Sequence, residues 1–395
     1  MSIRHSLNRG LYRAVPCVLL AAACLDATAI ADGPLFLTPP WAVLSPGDTM
    51  RFTIARDSVH LAETRAFASS DTTIIDIDTS GFARGVRTGN ATIHVSSGPY
   101  AAAAEVAVVP PVLIGAGDIA VCGSRETMAT AAIVKRISGI VFTAGDNAYQ
   151  DGTSDEFARC YDPWWGQFRV RTRPSPGAHD YHTPDAAGYF GYFKTSAGPT
   201  PLGYYSYDLG NWHVIVLNTN IDISDTSTQL RWLRADLDAH PSLCTAAYWY
   251  LPRFSSGRHG SAPALTGVWQ ILFDAGVELV ISGHDHDYER FAPQRPDGAL
   301  DGVHGIRQFV VGTGGAELTA VTSMLPNSEV AISVWGVLKL DLEATNYRWE
   351  FLTVPGDTVR DSGTDACHGP GALEGALASQ DRRNRLQENH DVAQK

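Results

Sequence analysis

The stretch Val277-Glu278-Leu279-Val280-Ile281-Ser282-Gly283-His284-Asp285-His286-Asp287-Tyr288-Glu289-Arg290 decides how the rest of the chain is read. Its first half is short and almost wholly apolar, the pattern of a strand buried inside a parallel sheet. A glycine breaks the run, and two histidines follow with one residue between them. In open α/β sheets ligand chemistry gathers beyond the carboxyl ends of the strands, where this pair falls. Two imidazoles held close on a turn, with carboxylates beside them, can hold a metal ion. A lone His-x-His is more often a histidine hydrogen-bonded at a strand end, so the stretch needs partners elsewhere in the chain.

Such partners occur at other strand ends. Residues 112–114 form an apolar run that leads into Gly115-Ala116-Gly117-Asp118, and Ser124 is suited to cap a helix running to about Ile137. A second run, 139–143, leads into Ala144-Gly145-Asp146-Asn147-Ala148-Tyr149. Strand, helix and strand over this length make a βαβ unit, which sets the two Gly-Asp pairs side by side at one sheet edge. Pro176-Gly177-Ala178-His179-Asp180 follows a short extended run. Strands are expected at 212–217, 246–250 and 306–311, helices at 229–237 and 265–275, and a hairpin from 334–342 and 347–354.

Brought to one edge, these ends present Asp118, Asp146, Tyr149, His179, Asp180, His284 and His286. Each has a plainer reading alone: a turn or helix-cap aspartate, a packed tyrosine with a bonded hydroxyl, a loop histidine. Their joint occurrence in this order points to a metal centre. A carboxylate between two cations bridges them, and paired ions hold a hydroxide for in-line attack.

Length and composition bound the rest. A chain of 395 residues suggests two domains, and 44% apolar with 18% charged residues excludes a disordered protein. A net charge of −12 argues against nucleic acid or an anionic membrane as the main partner. An anionic substrate stays open, because bound metal reverses the local field. Arg4, Arg9 and Arg13 precede an apolar stretch, 14–23, too short to span a membrane, and Ala29-Ile30-Ala31 is a small-x-small cleavage site. This reads as an export signal, 1–31. A second reading of Leu19-Leu20-Ala21-Ala22-Ala23-Cys24 is a lipoprotein box with a lipid anchor on Cys24. Cys122, Cys160, Cys244 and Cys367 then suggest two disulfides with three connectivities, of which 122–160 with 244–367 suits the layout.

Residues 34–109 read as a small all-β domain, with strand-like runs at 50–54, 73–77 and 91–95 between turn signals. Val108-Val109-Pro110-Pro111 is a short stiff joint, and the tail, 369–395, is polar with few apolar residues.

The blocks Gly117-Asp118-Ile119, Gly145-Asp146-Asn147-Ala148-Tyr149, Gly177-Ala178-His179-Asp180 and Gly283-His284-Asp285-His286 resemble four of the five signature blocks of the purple acid phosphatase branch of the calcineurin-like metallophosphoesterases. The similarity covers about residues 112–360 and includes Pro252-Arg253-Phe254-Ser255-Ser256-Gly257 and Phe309-Val310-Val311-Gly312-Thr313-Gly314-Gly315. Region 34–109 is similar to the bacterial immunoglobulin-like domain of group two. The resemblance implies an α/β fold, a layered metallophosphoesterase sandwich with helices outside, joined to the small all-β domain. It implies a first metal, iron, on Asp118, Asp146, Tyr149 and His286, since a phenolate suits ferric iron. Asp146 would bridge to a second ion (zinc, manganese or iron) served by His284. His179 would act as the acid at the leaving group, with Asp180 orienting it.

Two positions depart from the pattern. Ala178 stands where the family carries a ligand asparagine, and Tyr250 where it carries a ligand histidine, followed by Leu251. The expectation is therefore an exported hydrolase of small phosphoesters, without a transmembrane segment, whose second metal site is weak or absent. The alternative is a non-catalytic surface protein binding one metal or a phosphate.

Overall fold

The computed structural model describes residues 35–56, 65–97 and 100–369. The segment read as an export signal (1–31), including Cys24, and the tail beyond Gly369 lie outside the described residues. Two mixed sheets face each other. The first runs in the order Thr172–Ser175, Ile140–Ala144, Val112–Ala116, Gly336–Leu342, Asn346–Thr353, Asp361–Ala366; its first three strands are parallel. The second orders Tyr205–Leu209, Trp212–Val216, Cys244–Trp249, Leu279–Ser282, Arg307–Val311, Tyr288–Phe291, Ser328–Ile332, with four consecutive parallel strands from Trp212 to Val311.

Alternation along the second sheet explains the layers. Val214, Val216, Tyr248 and Ile281 point into the cluster shared with Leu113, Ile114, Phe142 and Leu338 of the first sheet. Their chain neighbours Ile215, Ala247, Trp249 and Val280 point outward, against Leu230 and Leu233 of helix Thr228–Ala239 and Val268, Trp269 and Leu272 of helix Thr266–Asp274. A period of two with both faces buried is what an almost continuous apolar run requires. Helix Arg125–Val134 begins where expected, with the Ser124 hydroxyl accepting from the Glu126 and Thr127 amides.

The N-terminal strands make a four-stranded sheet (Trp41–Leu44, Tyr100–Val108, Gly89–Ser97, Arg65–Ser69), a three-stranded and a two-stranded one. They enclose a core of their own that includes Phe52, Ile75, Ile93 and Val106. The run expected as one strand at 50–54 is two, Thr49–Arg51 and Thr53–Arg56, in different sheets. Phe52 buries its ring between them, and its amide leaves the ladder for the Gly81 carbonyl at 2.7 Å. Disulfides join Cys122 to Cys160 and Cys244 to Cys367, the layout expected from the sequence. Among the described residues no helix is long and apolar enough to cross a membrane.

Candidate metal centre at the strand ends

The carboxyl ends of five strands meet. Val112–Ala116 delivers Asp118, Ile140–Ala144 delivers Asp146 and Tyr149, and Thr172–Ser175 delivers His179. Cys244–Trp249 delivers Tyr250, and Leu279–Ser282 delivers His284 and His286. The parallel pairing of the first two strands brings the two Gly-Asp turns together, and the Asp118 amide donates to the Gly145 carbonyl at 3.0 Å.

Each aspartate has one oxygen tied down and the other turned inward. Asp118 Oδ2 accepts the His284 amide at 2.8 Å, and Asp146 Oδ1 accepts the His179 amide at 2.8 Å. The free oxygens share the Tyr149 hydroxyl, which donates to Asp118 Oδ1 at 2.8 Å and lies 3.1 Å from Asp146 Oδ2 and 3.3 Å from His286 Nε2. His286 Nδ1 donates to the Glu317 carbonyl at 2.7 Å, which turns Nε2 to within 3.2 Å of Asp118 Oδ1. An imidazole fixed through its far nitrogen is oriented as a metal ligand must be.

Asp118, Asp146 and His284 hold positive φ of 58°, 47° and 73°. For residues with a Cβ this left-handed backbone costs on the order of 1–3 kcal/mol each, and such strain concentrates at functional sites. Two glycines allow the close approach. A Cβ on Gly283 would sit 2.7 Å from Asp118 Oδ2, and one on Gly177 would overlap the Asp146 amide and carboxylate. Gly177→Ala is therefore expected to displace Asp146 and lower metal affinity at least about tenfold, as loss of a supporting contact does. Equilibrium dialysis measures this, and an unchanged affinity in a folded variant would contradict the geometry.

Burial, reinforced by the Asp118 charge, pushes the Asp146 carboxyl up to about 7. Burial would lower His286, but the Asp118 charge and hydrogen bond outweigh it and raise the imidazole to about 9. Burial raises the Tyr149 phenol well above its usual value, with the two carboxylates adding to it. Buried carboxyls whose crowding raises their affinity for a proton are equally suited to a cation. The donor set of two carboxylates, a phenol and an imidazole fits a hard trivalent or divalent ion.

Around the second expected position the residues differ. Tyr250 hydroxyl donates to Asp146 Oδ2 at 2.7 Å and lies 2.8 Å from His284 Nδ1. Ala178 brings no donor there. A phenol hydrogen-bonded to both remaining ligands thus occupies the space between them.

His179 lies beside the centre, with its ring 4.5 Å from that of Tyr149 and Nε2 3.9 Å from Asp146 Oδ2. Its orienting acceptor is the Gln150 carbonyl, 2.5 Å from Nδ1. Asp180, expected in that role, is engaged elsewhere: its carboxylate accepts the Gly177 amide at 2.9 Å and the Asn147 side chain at 2.9 Å. Asp180 therefore braces the 146–147 and 177 turns, which is a correction to its expected contact with His179.

Sequence reasoning missed His182, Asp285 and His259. The His182 ring lies 4.7 Å from that of His179, tilted by 52°, and shares the Gln150 carbonyl at 3.1 Å. The His259 ring lies 4.5 Å from that of His284. Asp285 holds the loop that carries His259, accepting the His259 amide at 2.7 Å and the Ser255 hydroxyl at 2.5 Å. The signal was a histidine two residues past Gly257, in a loop that leaves the Tyr250 strand end.

The architecture resembles the metallophosphoesterase fold of purple acid phosphatases. The purple acid phosphatase PPD1 of yellow lupin (Lupinus luteus) superimposes with a TM-score of 0.58 at 15% identity, covering 85% of this chain and 70% of that one. Among curated proteins, the probable purple acid phosphatase 20 of Arabidopsis thaliana is 29% identical over 171 residues, 40% of each chain. The probable inactive purple acid phosphatase 27 of the same plant is 24% identical over 273 residues, 57% of this chain and 43% of its own length. The matched part thus spans less than half of these relatives. No family model matches the chain.

Proposed function

We propose that this chain is an exported, metal-dependent phosphoric ester hydrolase of purple acid phosphatase type that holds one ion firmly and a second weakly or not at all. The observation that carries the reading is the meeting of Asp118, Asp146, Tyr149 and His286 around one Tyr149 hydroxyl. These four residues would hold the first ion, iron by virtue of the phenol. When bound, it supplies Lewis acidity to a phosphate oxygen and acidity to a water.

The protein's own residues do the rest. Backbone amides of His179 and His284 fix the two carboxylates before substrate arrives. His179, held through Nδ1, turns Nε2 to the centre and is the candidate acid at the leaving group, a role worth roughly 10²–10⁴ in rate. Asp180 keeps the turns beneath it in register. In this reading the N-terminal strands, 34–109, are an immunoglobulin-like spacer with no chemistry of their own, and residues 112–360 are the metallophosphoesterase domain.

A second reading, a binding protein without turnover, is favoured by the Tyr250 hydroxyl between Asp146 and His284. It agrees with the existence of a probable inactive relative. One experiment separates the two. Metal content per chain is measured on the purified protein, and the same sample is assayed on an aryl phosphate with and without added iron, zinc and manganese. Turnover that rises with metal supports the hydrolase; metal binding without turnover supports the alternative. The Tyr149 assignment has its own check. Iron-loaded protein is expected to absorb in the visible, and Tyr149→Phe to abolish the band. A colourless iron-loaded wild type would remove Tyr149 from the ligand set.

A further inference from the structure

A second cluster of metal-binding side-chain types lies at the opposite edge of the seven-stranded sheet. His213 is near the start of strand Trp212–Val216, whose far end points to the centre described above. Asp236 is in the last turn of helix Thr228–Ala239, and His240 caps that helix. His213 and Asp236 are buried, and His240 is half-exposed.

The contacts are specific. His213 Nδ1 lies 2.8 Å from Asp208 Oδ1, and its Nε2 lies 2.9 Å from Asp236 Oδ2. Asp236 Oδ1 accepts the Ser206 hydroxyl at 2.7 Å. The His240 ring stacks on His213 with centroids 4.7 Å apart and planes 10° from parallel, and its Nδ1 lies 2.9 Å from the Asp236 carbonyl. One ligand atom from each of His213, Asp236 and His240 lies within 4.8 Å of the others.

We propose that His213, Asp236 and His240 form a divalent metal site of zinc type, separate from the centre at the strand ends. A buried carboxylate against an imidazole selects positive charge, and a proton supplies it in the arrangement seen here. A metal ion can replace that proton, since ligation releases it. Asp208 then does what carboxylates behind zinc-bound histidines do: it fixes the tautomer and leaves Nε2 as the donor.

Two imidazoles and a carboxylate are a three-ligand zinc set, which leaves a fourth position open. Space for it exists. His213 and His240 line a groove of about 950 Å³ whose other walls include Trp41, Tyr207 and Asp208. Donor atoms around tetrahedral zinc sit about 3.3 Å apart when its bonds are roughly 2.0–2.1 Å. The His213 and Asp236 donors already approach that spacing at 2.9 Å. Only His240, the half-exposed member of the three, has to turn, off its stack and away from the Asp236 carbonyl.

The test is equilibrium dialysis of the full chain against zinc. Wild type is compared with His240→Ala, and the same comparison is repeated in a His284→Ala/His286→Ala background that has lost both imidazoles of the other centre. His240 is half-exposed, so its replacement leaves the core untouched. The expected result is one zinc ion fewer in the His240→Ala protein in both backgrounds. Equal zinc content in either background overturns the proposal. Should the double-alanine background fail to fold, anomalous scattering at the zinc edge from wild-type crystals decides. A peak within bonding distance of His213 Nε2 and Asp236 supports the site, and its absence from there overturns it.

Discussion

Replacing Ala178 by asparagine and Tyr250 by histidine together is expected to add one metal ion per chain at the strand-end centre and to increase phosphomonoester turnover at least about 100-fold. The magnitude follows from what a second Lewis acid contributes, several kcal/mol of transition-state stabilisation, with each 1.36 kcal/mol worth a factor of about ten. The geometry gives the reason. Asp146 Oδ2 and His284 Nδ1 are both satisfied by the Tyr250 hydroxyl, at 2.7 and 2.8 Å. An ion entering there must first displace that phenol, which burial and then the neighbouring carboxylates Asp146 and Asp118 keep protonated by pushing its pKa far up.

Histidine is smaller than tyrosine, and the Tyr250 ring lies close against Gly145, where an added Cβ would come within 2.4 Å of it. The smaller imidazole therefore removes the phenol that blocks the second position and brings a nitrogen donor to that side of the centre. The asparagine at 178 supplies the other missing donor. Tyr250→Phe is the necessary control. It removes the hydroxyl but adds no ligand, so it is expected to leave the stoichiometry unchanged. If the double variant folds and gains no ion over wild type, the phenol is not what limits the second position.

Much of this centre was legible from the sequence because it is built at strand ends. Asp118, Asp146, Tyr149, His284 and His286 follow apolar runs, and a buried strand fixes where its next residues emerge. The departures at Ala178 and Tyr250 were legible for the same reason. The strands Tyr205–Leu209 and Ser328–Ile332 were not: they sit at the sheet margins, where burial is partial and the apolar signal fades. His259 was missed because it emerges from a loop, and only the buried Asp285 carboxylate beneath that loop determines where it goes. The His213 cluster needs a strand, a helix end and an edge strand to meet, which no single stretch of sequence encodes. Asp180 shows the converse error. Its neighbourhood to His179 in the chain suggested a shared role, whereas its carboxylate points into the 147 and 177 turns.

Metal-free protein is expected to melt roughly 10 °C lower at pH 8 than at pH 5. Four buried carboxyls set the sign. Asp146 and Asp180 are pushed up to about 7, and Asp287 and Glu278 to about 8, in every case first by burial. In the unfolded chain such groups titrate near 4. Between pH 4 and 8 the native state thus binds more protons than the unfolded one, and stability falls as pH rises. The raised imidazoles of His286 and His213, each about 9, act in the same direction from pH 6.5 upward. Asp361, held below its usual range because Arg290 and Tyr288 outweigh the cost of its burial, contributes stability that is lost only at more acid pH. Each tenfold difference in proton affinity between the native and unfolded chain is worth about 1.4 kcal/mol, so several kcal/mol are at stake even after allowance for coupling among neighbours. At about 2–4 °C per kcal/mol for a domain of this size, the melting shift follows. Metal should flatten the profile, because a cation replaces the proton that Asp146 otherwise retains. Melting curves at pH 5 and pH 8, with and without metal, measure both effects. A metal-free protein that melts higher at pH 8 than at pH 5 would mean that these carboxyls reach solvent and that the crowding at the strand ends is not what holds their protons.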